Sequence, residues 1–308
     1  MTIQPRARGS RLRERKEFWL AMLFISPFTI GFLVFLLYPT LMSLYYSLTD
    51  YNLMSSPIFS GFKNYSLLWK DPVFGKSVLN TLYMTLLGVP LCNLAALLTA
   101  VLLNRRTPLN GLFRTLIYLP AVIPVVAVSL IWTWILNPDY GLLNAMLEAI
   151  GLTKHGWMSD AFYAKPALLM MSVWSMGNAM VMYLASLQDV PRELYESADI
   201  DGANAVSKFC YITIPGIKPV ILYNVIVSII SFMQYFTQAY VANFTTQTVQ
   251  LGLPLNSTMF YGTYLYQNAF SFFKLGYASA MAWLLFAATL VATLLLLKTS
   301  GMLKIEDD

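Results

Sequence analysis

Charge is scarce in this 308-residue chain: only 11% of its residues are Asp, Glu, Lys or Arg, whereas a soluble domain carries about 25%. That shortage excludes an ordinary water-soluble fold, and the 57% of hydrophobic residues says what replaces it. Histidine occurs once, as His155 beside Lys154 and Gly156 in a predicted external loop. With no second histidine or cysteine cluster near it, it reads as solvated surface, and neither a metal centre nor a catalytic triad has a basis. The two cysteines, Cys92 in an apolar run and Cys210 in a polar one, fall in different compartments, so no disulfide is expected. A GxxxxGK[ST] phosphate loop is missing too. If ATP drives this protein, another subunit binds it.

What is there is apolar and long. A hydrocarbon core of about 30 Å needs about 20 apolar residues per spanning helix, and six stretches meet that length: 18–40, 77–103, 115–137, 166–188, 219–241 and 275–297. Continuous apolar runs indicate helices rather than the alternating strands of a barrel. Prolines at Pro27, Pro90, Pro120 and Pro124 predict kinks. The first run exceeds the roughly 7–15 residues of a signal-peptide core, so it is read as a retained helix.

Lys and Arg set the orientation. The N-terminus (Arg6, Arg8, Arg11, Arg13, Arg15, Lys16), the loop after the second span (Arg105, Arg106, Arg114), the 189–218 loop (Arg192, Lys208, Lys218) and the tail (Lys298, Lys304) hold 14 of them. The other side holds 6, so both termini are expected in the cytoplasm. The net charge of +5 is mostly this asymmetry, with the basic N-terminus able to lie on anionic lipid; it does not point to nucleic acid. The predicted organisation is a basic N-terminus (1–17), a transmembrane domain (18–297) and a short tail (298–308).

No acid or base lies inside the six runs, and no inverted repeat is discernible. Ion-coupled carriers commonly place ionisable groups in the membrane, so that class is disfavoured. The polar run from Pro191 to Pro219, PRELYESADIDGANAVSKFCYITIPGIKP, is the long interruption of the second half. Pro191 suits a first helical turn, Glu193 and Glu196 complement the helix dipole, and Gly202 can end the helix. A second short helix over Ala203 to Ile212 would carry Phe209 on its apolar side, before Pro215 and Pro219 redirect the chain. From composition alone, a docking element and a charged solvated connector remain equal readings.

Glu196-Ser197-Ala198, Gly202, Ile212 and Pro215 resemble the EAA signature of permease subunits in binding-protein-dependent ABC importers. Leu187-Gln188, Pro191, Glu193-Leu194-Tyr195-Glu196 and Asp201-Gly202-Ala203 are similar to the carbohydrate-uptake branch, of the maltose and glycerol-phosphate type. The likeness extends over Asn64-Tyr65, Asp71-Pro72, Asn80-Thr81, Phe113-Arg114, Leu119-Pro120, Asn256-Ser257-Thr258 and Gly276-Tyr277-Ala278. Three departures are Ser197 in place of alanine, Ile214-Pro215 in place of Leu-Pro, and the run from Thr246 to Pro254, which is less glycine-rich than in related sequences.

The resemblance implies an all-α membrane protein with the type I importer permease fold: six transmembrane helices and a cytoplasmic coupling helix. The ATPase-coupling residues would be Glu193, Glu196, Ser197, Ala198, Asp201, Gly202 and Ala203. It implies a bacterial or archaeal cytoplasmic membrane, a second and different permease subunit, two cytoplasmic ABC ATPase subunits holding ATP and Mg, and an extracytoplasmic solute-binding protein. For the solute path, Trp174, Ser175 and Asn178 share one face of the fourth run, and Ser228, Ser231, Tyr235 and Gln238 one of the fifth. Aromatic rings stack on sugars, and amides and hydroxyls bond their hydroxyls. Against this, such residues in membrane helices also serve helix packing. The expected solute is a neutral carbohydrate. A phosphate ester would want a nearby cation, and an uncoupled channel would not need the acidic loop.

Overall fold

A computed structural model describes residues 8–105, 108–244, 251–252 and 254–301. Arg6, Arg106, Lys304 and most of the 246–254 run lie outside the described residues. Four helices are long and apolar enough to cross a membrane: Arg15–Ser47, Pro72–Leu103, Lys218–Asn243 and Leu275–Thr299. Two bent pairs, Asn110–Val122 with Val125–Ile135 and Ala164–Trp174 with Gly177–Asp189, qualify when each pair is taken together.

The first span runs beyond the predicted end at residue 40 and widens to π geometry over Phe32–Leu37. Pro39 follows there and has no N–H to return to the preceding turn. Phe24, Phe28 and Phe35 project from this span into the surroundings, as lipid or a partner helix permits. The second span starts at Pro72, earlier than expected, because Asp71 caps it: its Oδ1 accepts from the Val73 and Phe74 amides at 2.9 and 3.3 Å. Pro90 is carried inside this 32-residue helix without ending it.

The run expected as one span over 115–137 is instead two helices meeting at 102°. Ile123 and Pro124 are extended, with ψ of 133° and 136°, because a residue before proline is pushed out of helical geometry. The fourth run bends by 45° around Ser175 and Met176. Between these two runs, His155 is half-buried rather than solvated. Its ring lies 4.5 Å from Tyr163 and 5.5 Å from Trp157, and its backbone is tied to Asn144.

Many of the residues that carried the family resemblance outside the polar loop tie one end of the bundle together. Asn64 Nδ2 donates to the carbonyls of Ser47 and Thr49 at 3.0 and 2.8 Å. Asn80 Nδ2 donates to those of Asn256 and Met259 at 2.8 and 2.9 Å. The hydroxyls of Tyr264 and Tyr277 both donate to Asp71 Oδ2. Partial burial works against ionisation of Asp71, but these two bonds and the two amides outweigh it and hold the carboxyl below the usual carboxylate range. A short antiparallel pairing of Thr49–Asp50 with Ile58–Phe59 lies at this end.

Candidate functional site

Two features stand out at and between the spans: the polar segment after Val190 and a polar cleft in the bundle. In the first, Pro191 precedes a helix over Arg192–Ile200 with Glu193 in its first turn. Gly202 follows at φ +73°, where an L side chain is disfavoured. Its N–H donates to Asp199 O at 3.1 Å, and that of Ala203 to Ala198 O at 2.9 Å. These 5→2 and 6→1 bonds form a complete Schellman closure. Asn204 then caps the next turn, accepting from Ser207 N at 2.8 Å.

The second helix is shorter than expected: Ala205–Lys208, passing into a π turn over Phe209–Thr213. Lys208 pairs with Asp199, and Tyr195 and Thr213 share a hydroxyl bond of 2.9 Å, so the two arms are braced. Phe209 and Tyr195 pack inward against Leu187, Val190 and Ile217. Glu193, Glu196, Ser197, Asp201 and Gly202 stay exposed, with Ala198 and Ala203 half-buried beneath them. A Cβ on Gly202 would meet nothing within 4 Å. The sequence reading missed Ile200, which is 88% exposed beside Gly202: an apolar side chain set among acids, as a partner's cleft would take it.

In the bundle, a cleft of about 490 Å³ opens between the Pro72–Leu103 helix, the bent pair Ala164–Trp174 and Gly177–Asp189, and the Lys218–Asn243 helix. Six of the seven predicted path residues line it: Ser175, Asn178, Ser228, Ser231, Tyr235 and Gln238. Trp174 does not. The bend at Ser175 turns its indole to the other side, where it meets Trp132 edge-on at 5.9 Å in an apolar crevice with Leu169 and Val173. Tyr235 forms wall more than lumen, being 4% exposed, parallel to Phe232 and edge-on to Phe260. Phe232 itself fits because Gly88 faces it: a Cβ there would lie 2.4 Å from the ring.

Among the described residues, the side chains of Asn178, Ser231 and Gln238 make no hydrogen bond within the chain, so their donors and acceptors are open to a solute. Among the described residues, no Asp, Glu, Lys, Arg or His lines the cleft. Asn93 was missed by sequence reasoning. It sits buried at the cleft's rear, donating to Ser228 Oγ at 3.0 Å and accepting from the Tyr183 hydroxyl at 2.7 Å. Its lone position in an apolar run was the available signal, since a buried amide in a membrane helix needs partners.

Bent apolar spans around a polar cleft, with a closed helical turn on one face, define a multi-pass helical membrane protein. Its architecture matches the alginate ABC transporter solved with an alginate-pentasaccharide-bound periplasmic protein, with a TM-score of 0.78 over 95% of this chain and 98% of that one at 24% identity. Residues 92–305 match the family model of the binding-protein-dependent transport system inner membrane component, and this chain belongs to that family. The lactose transport system permease LacF of Rhizobium radiobacter is 39% identical over 85% of this chain and 88% of its own length. The arabinooligosaccharide permease AraP of Bacillus subtilis is 33% identical over 92% and 89%. The Bacillus subtilis protein YesP, a probable ABC transporter permease, is 39% identical over 93% and 92%.

Proposed function

We propose that this chain is one of two permease subunits of an ATP-driven importer for a neutral carbohydrate, and that the cleft forms its half of the path. The carrying observation is the open amide and hydroxyl groups of Asn178, Ser231 and Gln238 in a cleft without charge. Such a wall suits sugar hydroxyls and gives a phosphate ester no cation. Its volume falls within the roughly 300–1,000 Å³ of small-molecule sites. The named sugar substrates of LacF and AraP support the same solute class.

In this reading each bent pair is one span, giving six, with both termini and the Arg192–Ile200 helix on the cytoplasmic side. The residues before 18 and after 297 flank the transmembrane domain. The exposed Glu193, Glu196, Ser197 and Asp201, with Gly202 and Ile200, dock into a cytoplasmic ATPase subunit, while Ala198 and Ala203 pack beneath them. ATP and Mg are bound there, not by this chain. Because Lys208–Asp199 and Tyr195–Thr213 brace the two arms, the segment moves as a rigid lever and carries nucleotide-driven closure to the fourth and fifth spans. Two ATPases need two such levers, so a second, related permease completes the pair, and a solute-binding protein delivers the sugar outside. Purification of the tagged chain from its native membrane, followed by identification of the bound subunits, tests the reading: an ABC ATPase and a second permease are expected, and recovery of the chain alone would reject it.

A further inference from the structure

We infer that the cleft beneath the Arg192–Thr213 segment holds the headgroup and upper acyl chain of an anionic phospholipid from the inner leaflet. The inference rests on the cytoplasmic orientation proposed above. The cleft encloses about 630 Å³. Leu98 and Val101, in the last turns of the second span, form one wall, and Phe209 and Val206 of the polar segment face them. Arg105, just past the end of that span, and Lys208, between Val206 and Phe209, line the same cleft. Along the second span the lining passes from apolar Leu98 and Val101 to Asn104 and Arg105 past its end, the order of a phospholipid across the membrane boundary.

Among the described residues, this charge is only partly neutralised. Lys208 pairs with Asp199 but keeps further N–H donors, and Arg105 makes no ion pair among the described residues. Arg114 bonds the Leu103 carbonyl at 3.3 Å, one residue from the cleft wall at Asn104, and leaves its Nε buried without a partner. Two cations line the cleft and only Lys208 is shared with an acid, which favours an anion, and basic pockets between helices at this level take lipid headgroups. A free phosphate would leave the Leu98 and Val101 wall unused. The ATPase has the exposed Ile200 and Gly202 surface instead.

The experiment uses the complete transporter purified from membranes, with lipid retained on the permease chain read by native mass spectrometry. Wild type should keep phosphatidylglycerol in preference to phosphatidylcholine. Arg105→Gln should lower that retention about fivefold, the effect of one near-surface cation. Val101→Trp, which fills the cleft and spares every charge, should lower it as far or further. Unchanged retention in both variants overturns the inference. Displacement by millimolar inorganic phosphate would make this a soluble-anion site, and loss of lipid whenever the ATPase is bound would assign the cleft to the subunit interface; either result also overturns it. Retention of the ATPase in the same spectra reads the permease assignment separately, so the two ideas fail independently.

Discussion

Replacing Gly202 by aspartate separates docking from folding. The residue sits at φ +73° at the C′ position of a Schellman closure, and a Cβ there would meet no atom within 4 Å. The cost inside the chain is therefore conformational only. It is about 1–2 kcal/mol for an ordinary L residue and toward the low end for aspartate, which tolerates this region. Gly202→Asp should insert in the membrane and unfold within a few degrees of wild type. Against a closely fitted partner wall the new side chain costs a further ~1–3 kcal/mol in overpacking, before desolvation of its carboxylate. At 1.4 kcal/mol per tenfold, ATPase retention should fall roughly tenfold to hundredfold. Gly202→Asn has nearly the same shape without the charge and divides bulk from electrostatics. The assay is ATPase co-purified per permease chain, with solute uptake alongside. Wild-type retention and uptake in Gly202→Asp would refute the docking role of the Arg192–Ile200 helix.

Asn178→Ala should reduce uptake while ATPase assembly and basal hydrolysis stay intact, because it removes an open amide from the cleft; unchanged uptake at limiting solute would reject that wall as the path. Trp174→Ala should instead lower thermal stability by about 0.5–1.5 kcal/mol through loss of its contact with Trp132, with uptake by the surviving protein reduced less than in Asn178→Ala. Asp71, whose carboxyl is held below the usual range, contributes stability that is present above its unfolded-state value and lost as pH falls through its lower folded value. Melting temperature should thus drop below about pH 4 in wild type and vary less in Asp71→Asn, which keeps the helix cap; parallel pH curves would remove Asp71 from that role. A reporter fused near Asn204 should read as cytoplasmic and one near Asn256 as external, and finding both on one side would reject the six-span topology.

Membrane residence and helical class were legible in the chain because both follow from run length and composition, which are local. So was the boundary at Gly202, since a helix end with small and acidic neighbours is specified within a few residues. Ser228 and Ser231 were legible as one face for the same reason, since helical periodicity is local too, whereas Tyr235 and Gln238 reach the cleft across a break in the helix after Met233. Trp174 was not legible. It shares a predicted face with Asn178 only if the helix is straight, and the 45° bend at Ser175 sends the two side chains to different sides. The kink expected at Pro124 is there, as a bend of 102°, whereas Pro90 stays inside one unbroken helix, because proline permits a break but the neighbouring helices decide whether one occurs. Asn93 needed the tertiary structure most of all. Its meaning lies in Tyr183 and Ser228, 90 and 135 residues away, and no local pattern announces which distant groups will meet a buried amide.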